Sequence, residues 1–374
     1  MRIVYIHNIA MPGPEANTVN VAKMCSAFAG LGHDVTLIAS PGVGGVGDLT
    51  ARIQSFYGLQ HPFAVEALPP AARRPAIAAL IGGATAKRAR PDVVITRAPH
   101  AALACCALGM NTLLEIHADL SAFSRIGRAA LDRVVQDRRL LGVVVISDAL
   151  ADYILQHYPM LRGKLCVAHD GADAHDAAAG SPVNPRPSVG YVGRLYTGRG
   201  ADVLTATARL CPWADFHVVG GSADEMTRIA GAPPENLHCH GSIPHAQVAA
   251  RIAGFDVVAA PYQRSVIVAD GRTDTARWMS PLKLFEYMAC GKAILASDLP
   301  AIRAVLNDGE TALLCTPDDP SDWAKALTRL RDDPALGQRL GEAARARFER
   351  HHTWAKRAEH ILASLAPRTV KAAA

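Results

Sequence analysis

Short apolar runs alternate with longer helical patterns along most of the chain. RIVYIH (2–7) reads as a strand, and residues 18–31 then place Val21, Met24, Cys25 and Phe28 on one face of a helix. Gly32 stops that helix and DVTLIA (34–39) resumes as a strand. VVIT (93–96), TLLEIH (112–117) and VVVIS (143–147) are further strand-like runs with helical stretches between them. Such alternation predicts parallel sheets with right-handed crossovers. Near residue 170 the pattern lapses. CVAHDGAD (166–173) ends a strand in a turn, and AHDAAAGSPVNPRP (174–187) holds small residues and prolines without a period, as a linker does.

A second alternating block follows. Strands are expected at 188–195, 216–221, 236–240, 256–261, 293–297 and 312–316, with helices at 201–210 and 245–253. A long loop covers 262–279, and from Asp322 the chain reads as helical, with Trp323 and Trp354 as anchors. The organisation expected is therefore an α/β domain over 1–172, a linker over 173–187 and a second α/β domain over 188–350. In open sheets of this kind ligands bind outside the carboxyl ends of the strands.

Composition agrees with this division. The chain has 374 residues, enough for two domains, and its 50% hydrophobic content supplies their cores. Aromatics are only 5%, so Ala, Val, Leu and Ile carry the burial, as in parallel strands with covering helices. The net charge of +5 is scattered over pairs such as Arg73-Arg74 and Arg138-Arg139. Without a dense basic block and interleaved aromatics, no nucleic-acid partner is expected. The mild positive bias suits an anionic substrate or peripheral contact with an anionic membrane surface. None of the eight cysteines forms a C-x-x-C pair, and most lie in apolar runs, which reads as reduced core thiols of a cytoplasmic protein. His238-Cys239-His240 has no companion cluster, so no metal is expected there. The opening apolar run is too short for a leader core, and no run of about 18 apolar residues occurs.

Two segments carry most of the chemistry. In SPLKLFEYMACG (280–291), Ser280 suits a helix N-cap, Pro281 the first helical position and Gly291 the helix end. Leu282, Phe285 and Met288-Ala289 would form the apolar face, with Lys283 and Glu286 together on the other. Free N–H groups at a helix start with a lysine one turn in make an anion site, and Glu286 lies where ribose hydroxyls would follow a diphosphate. An ordinary capped helix with a solvated Lys–Glu pair has the same pattern. In GRLYTGRG (193–200), Gly193 lets backbone approach a ligand, and Arg194 and Arg199 flank a turn just before a helix. Two guanidiniums there would neutralise a leaving diphosphate; a surface turn with two solvated arginines is the plainer reading.

Other positions are weaker singly. Gly220-Gly221 also follow a strand, and Ser242 and Ile243 stand in the same relation to theirs, where they would line a base. His117 ends TLLEIH and would face a ligand at the strand's carboxyl end, while AMPGPEANTV (10–19) brings Gly13, Asn17 and Thr18 to a helix start. PGVGGVGD (41–48) opens no clear helix and reads as a mobile loop. No D-x-D triplet occurs, which fits chemistry without a metal.

Together these segments resemble the family-4 group of retaining glycosyltransferases over nearly the whole chain. The parts are GHDVTLIA, VAHDGAD, YVGRLYTGRG, VVGG and, most specifically, SPLKLFEYMACGKAILASDLPAIRAVLNDGETALL. The resemblance implies the GT-B architecture of two Rossmann-like domains, with the donor nucleotide held mainly by the second. It implies that Arg194 and Arg199 bind diphosphate, that Ser280, Pro281, Leu282 and Lys283 form the phosphate-facing helix start, that Glu286 binds ribose and that His117 lies near the transferred sugar. It also implies that a last helix, about 353–370, returns to the first domain. Two departures stand out: Trp278 occupies the place of the first Glu of the family's E-x7-E motif, for which Asp270 or Asp274 would be the substitutes, and the usual Gly-Gly loop after the first strand is reduced to Gly13-Pro14. The activity expected is transfer of a hexose from a UDP- or GDP-sugar to a hydroxyl of a glycan, lipid-linked or small-molecule acceptor, with the nucleotide sugar as substrate and no cofactor. A nucleotide-sugar 2-epimerase and a non-catalytic nucleotide-sugar-binding protein share the architecture and remain the alternatives.

Overall fold

The structure is a computed structural model that describes residues 1–42, 45, 47–69, 75–174, 186–268 and 271–365. Two compact units divide it. The first is residues 1–169 together with the last helix, and the second is residues 170–353.

The first unit runs β1 (Arg2–Met11), α1 (Ala16–Gly30), β2 (Asp34–Pro41), α2 (Leu49–Tyr57), β3 (Ala64–Ala67), α3 (Pro75–Arg88), β4 (Val93–Thr96), α4 (Pro99–Ala107), β5 (Thr112–Ile116), α5 (Arg125–Val134), β6 (Leu140–Val145), α6 (Asp148–His157) and β7 (Leu165–Val167). Its strands form one parallel sheet in the order β3-β2-β1-β4-β5-β6-β7. The order reverses between β1 and β4, the point where a doubly wound sheet opens a crevice. Val4, Ile6 and Val94 bury one sheet face against Ala78, Ala79 and Ala86 of α3 and Ala101 and Cys105 of α4. On α1, Val21, Met24, Cys25 and Phe28 are fully buried, as their spacing predicts. β1 is longer than its apolar run: it continues to Met11 beside β2, with a shift of register between His7 and Ala10.

The second unit runs β8 (Ser188–Val192), α7 (Ala201–Leu210), β9 (Asp215–Val219), α8 (Ala223–Ala230), β10 (Leu237–Cys239), α9 (Val248–Ala253), β11 (Val257–Ala260), α10 (Leu282–Ala289), β12 (Ala293–Ser297), α11 (Pro300–Arg303), β13 (Leu313–Cys315), α12 (Pro320–Asp332) and α13 (Pro334–His351). This parallel sheet has the order β10-β9-β8-β11-β12-β13 and reverses between β8 and β11. Val192, Val258 and Ile294 pack against Leu284, Phe285 and Met288 of α10. Val189, Val218 and Leu295 pack on the other side against Val203 and Leu204 of α7 and Trp323 and Leu327 of α12.

The final helix, α14 (Trp354–Ser364), packs against α1 and so completes the first unit from the far end of the chain. Most of the expected linker and part of the 41–48 loop lie outside the described residues. Among the described residues no helix is long and apolar enough to cross a membrane.

Candidate functional site

The loops at the carboxyl ends of β8 and β11 gather a group of aromatic and cationic side chains in the second unit. Gly193 follows β8 with φ +148, and a Cβ there would lie 2.9 Å from Lys283 Nζ. Gly220 follows β9 with φ +111, and its Cβ would lie 2.5 Å from the Gly193 carbonyl oxygen. Any side chain at either position would fill this corner, so the two turns bring bare backbone together. Tyr191, at the end of β8, donates its hydroxyl to the Arg194 carbonyl at 2.8 Å. The Arg194 side chain is half-buried and makes no ion pair among the described residues.

Lys283, in the first turn of α10, is only 7% exposed. Its Nζ stands 3.7 Å from the centre of the Tyr191 ring and 5.0 Å from that of Tyr262, just past β11. Arg199 lies over the same Tyr262 ring at 5.1 Å and donates Nη1–H to its hydroxyl at 3.0 Å. Arg199 Nε is buried without a partner. Burial, and after it the neighbouring Arg199, hold the Lys283 pKa well below the ordinary lysine value; Glu286 pulls the other way. Glu286 Oε1 is already bonded to His245 Nε2 at 3.0 Å. Two cations thus share a low-dielectric corner whose tyrosine faces attract them but cannot neutralise them. An anion with several acceptor oxygens is the ligand chemistry that would compensate both charges.

Several sequence expectations need correction here. Ser280 does not cap α10. The helix begins at Leu282 with Pro281 in the cap position and no side-chain cap bond. Ser280 Oγ accepts the Asp170 N–H at 2.8 Å and so ties down the entry to this unit. The faces of α10 also differ from expectation: Lys283, Leu284, Phe285, Tyr287 and Met288 are buried, while Leu282, Glu286 and Cys290 form the partly open stripe. Lys283 is therefore no solvated partner of Glu286. Ser242 is exposed, and Ile243 packs on the edge of the core cluster that contains α10. Trp278 is buried with the Arg277 guanidinium 4.9 Å over its ring. Asp274, one of the two residues considered for the missing Glu, is exposed, and its Oδ1 accepts the N–H groups of Val266 and Ala276 at 2.9 Å each. Asp270 lies outside the described residues.

Gly13, Asn17 and His117 belong to the first unit. Gly13 offers no free N–H, since it donates to the Tyr57 hydroxyl of α2 at 2.8 Å. Asn17, in the first turn of α1, keeps a buried Oδ1 without a partner. His117, just past β5, bonds through Nε2 to Glu115 Oε2 at 2.8 Å. The same oxygen lies 3.5 Å from Arg357 Nη2 of α14, and the Glu115 and Arg357 side chains are 0% and 2% exposed. Burial alone would raise the Glu115 pKa; Arg357, with the His117 hydrogen bond after it, overrides that and holds it at about 2. Tyr5 pairs with Ile95 and Ile95 with Leu113. Two residues on, His7, Arg97 and Glu115 come abreast on that face, His7 within β1, Arg97 just past β4 and Glu115 near the end of β5.

Sequence reasoning did not single out Tyr191, Tyr262, His245, Glu115, Arg97 or Arg357. A signal existed for Glu115, a lone carboxylate in an otherwise apolar strand, which is buried only with a partner. The tyrosines carried none, because an aromatic at a strand end ordinarily reads as core.

Two family models match the chain. One, described as Glycosyltransferase Family 4, covers residues 18–176, and the other, described as Glycosyl transferase-like, covers 199–363. A curated relative, the D-inositol 3-phosphate glycosyltransferase of Streptomyces bingchenggensis, is 25% identical over 58% of this chain and 52% of its own length. The chain thus spans about half the length of that relative. Among solved structures, sucrose-phosphate synthase of Thermosynechococcus elongatus superposes with TM-score 0.73 at 18% identity, over 97% of each chain. Anabaena HepE in complex with UDP-glucose superposes with TM-score 0.72 at 17% identity, over 98% of this chain and 99% of its own. The two parallel sheets, their switch points and these matches agree: the fold is GT-B, and the chain belongs to the family-4 and group-1 type of glycosyltransferases.

Proposed function

We propose that the chain transfers a hexose from a UDP- or GDP-sugar to a hydroxyl acceptor, with retention of anomeric configuration and without a metal. The observation that carries the reading is the buried Lys283–Arg199 pair on the faces of Tyr191 and Tyr262. A diphosphate seated against it would recover the electrostatic energy that burial withholds from both cations. Arg194, on the same turn, would add a third positive charge. As the glycosidic bond breaks, charge grows on the leaving phosphate, and cations held out of water stabilise it most at that moment. Glu286, one turn further along α10 on its open stripe, would take the ribose hydroxyls. The glycine corner of Gly193 and Gly220 admits the backbone approach a phosphate chain needs. The acceptor would be a glycan, lipid-linked or small hydroxyl compound. A D-inositol 3-phosphate glycosyltransferase and a UDP-glucose complex among the similar proteins support this class.

Thermal shift with UDP, GDP and their hexose conjugates tests the donor site. A nucleotide that binds only the folded chain raises Tm by mass action. Lys283→Met and Arg199→Ala are each expected to weaken nucleotide binding about tenfold or more, roughly 1.4 kcal/mol. Unchanged nucleotide affinity in both variants, or no response to any of these nucleotides, would sink the assignment.

A further inference from the structure

The first unit contains an ion pair whose two members come from opposite parts of the chain. Glu115 lies in β5, an interior strand of the sheet, and Arg357 in α14. Glu115 Oε2 serves both Arg357 Nη2, at 3.5 Å, and His117 Nε2, at 2.8 Å. The guanidinium is also anchored on α1, where Nη1 stands 3.7 Å from Met24 Sδ. A carboxylate with no exposure survives as an anion only where a cation compensates it, and α14 supplies that cation. An ionised carboxylate accepts hydrogen bonds and donates none, so the proton between Glu115 and His117 resides on the histidine. The ring is then held with Nε2–H toward Glu115, and Nδ1 is the nitrogen on its opposite side. His117 itself sits just past β5, two residues beyond Glu115.

We propose that Glu115 and Arg357 are positioning residues that fix the ring of His117 with its proton at Nε2, and so the orientation in which the ring serves transfer. This rests on the proposed transferase reading together with what the family resemblance implies for His117, a place near the transferred sugar. The consequence is that a helix from the far end of the chain sets the hydrogen-bonding character of a histidine in the first unit.

The test uses the full chain labelled with 15N-histidine, and no ligand. Long-range 1H–15N spectra, with the His117 signal assigned by its loss in His117→Gln, are expected to show a slowly exchanging proton on Nε2. Arg357→Met and Glu115→Ala should each remove it, and Arg357→Lys should restore it. A second measurement follows hydrolysis of UDP-glucose, in which water takes the place of the acceptor and glucose and UDP are released. There Arg357→Met should lower kcat about tenfold to a hundredfold with KM little changed, and Arg357→Lys should recover much of the loss. Finding the wild-type proton on Nδ1 instead, or an Nε2 proton that persists in Arg357→Met while Tm falls, would overturn the proposal and leave a structural bridge only. The two readings fail separately. If the Nε2 proton behaves as described but His117→Gln hydrolyses UDP-glucose at the wild-type rate, the positioning of the ring stands and the role of His117 in transfer does not.

Discussion

His7 lies buried at the carboxyl side of β1, with its Nε2 unpartnered. Burial first, and the nearby Arg97 second, lower its pKa from 6.5 to about 3. The unfolded chain therefore binds a proton that the folded chain refuses. The sign follows: this site leaves stability untouched above pH 6.5 and withdraws it steadily as the pH falls from there toward 3. His7→Leu should flatten that part of the profile, measured by urea unfolding at a series of pH values. A curve that keeps the wild-type slope between pH 6.5 and 4 would show that the ring is solvated. Glu115 is held ionised where His7 is held neutral, yet its pKa is also depressed, so it loses stability in the same direction. Its depressed pKa contributes fully above the ordinary carboxylate value of 4.5 and is lost as the pH falls through about 2. The two contributions therefore fade one after the other, His7 first.

At the scale of elements, α10 shows what spacing reveals and what it conceals. The Ser-Pro pair, Lys283, Glu286 and Gly291 were all legible as a short helix between turns, and the helix is there. Its start was not, because Ser280 fits a cap equally well in sequence; only the folded chain brings the Asp170 N–H to its hydroxyl. Ser280→Ala should accordingly cost about 1 kcal/mol, through the entry at Asp170 rather than through helix fraying. Hydrogen exchange reads the difference: faster exchange at the Asp170 amide with α10 unchanged supports the bond, and fraying of 282–284 alone speaks for a cap. Strands and helices elsewhere were readable for the same reason α1 was, since a burial period of two or 3.6 is local. The extension of β1 past His7 was not local. It depends on pairing with β2 across a shift of register. The aromatic partners of Lys283 come from β8 and from the end of β11, so the cation corner exists only once the second sheet has formed.

On the scale of the whole molecule, the first unit is discontinuous. Its sheet and α1–α6 come from residues 1–169, and α14 is supplied after the entire second unit. Removing residues 354–374 should strip the cation from Glu115 and uncover α1, and breaking a buried pair from one side costs about 3–5 kcal/mol. Hydrogen exchange should then lose protection in β1, β4 and β5 while β8, β11 and β12 keep theirs; equal protection in both sheets would show that α14 is dispensable. This arrangement also sets an order of events during synthesis. Glu115 leaves the ribosome 242 residues before Arg357 (357 − 115). For that whole interval the nascent first unit carries this carboxylate without its Arg357 partner, while every strand of the second unit emerges and can pair. The usual expectation is that the N-terminal domain settles first. Here the later-made unit is free to finish before the earlier one, and α14, made after every strand of both sheets, closes the first fold.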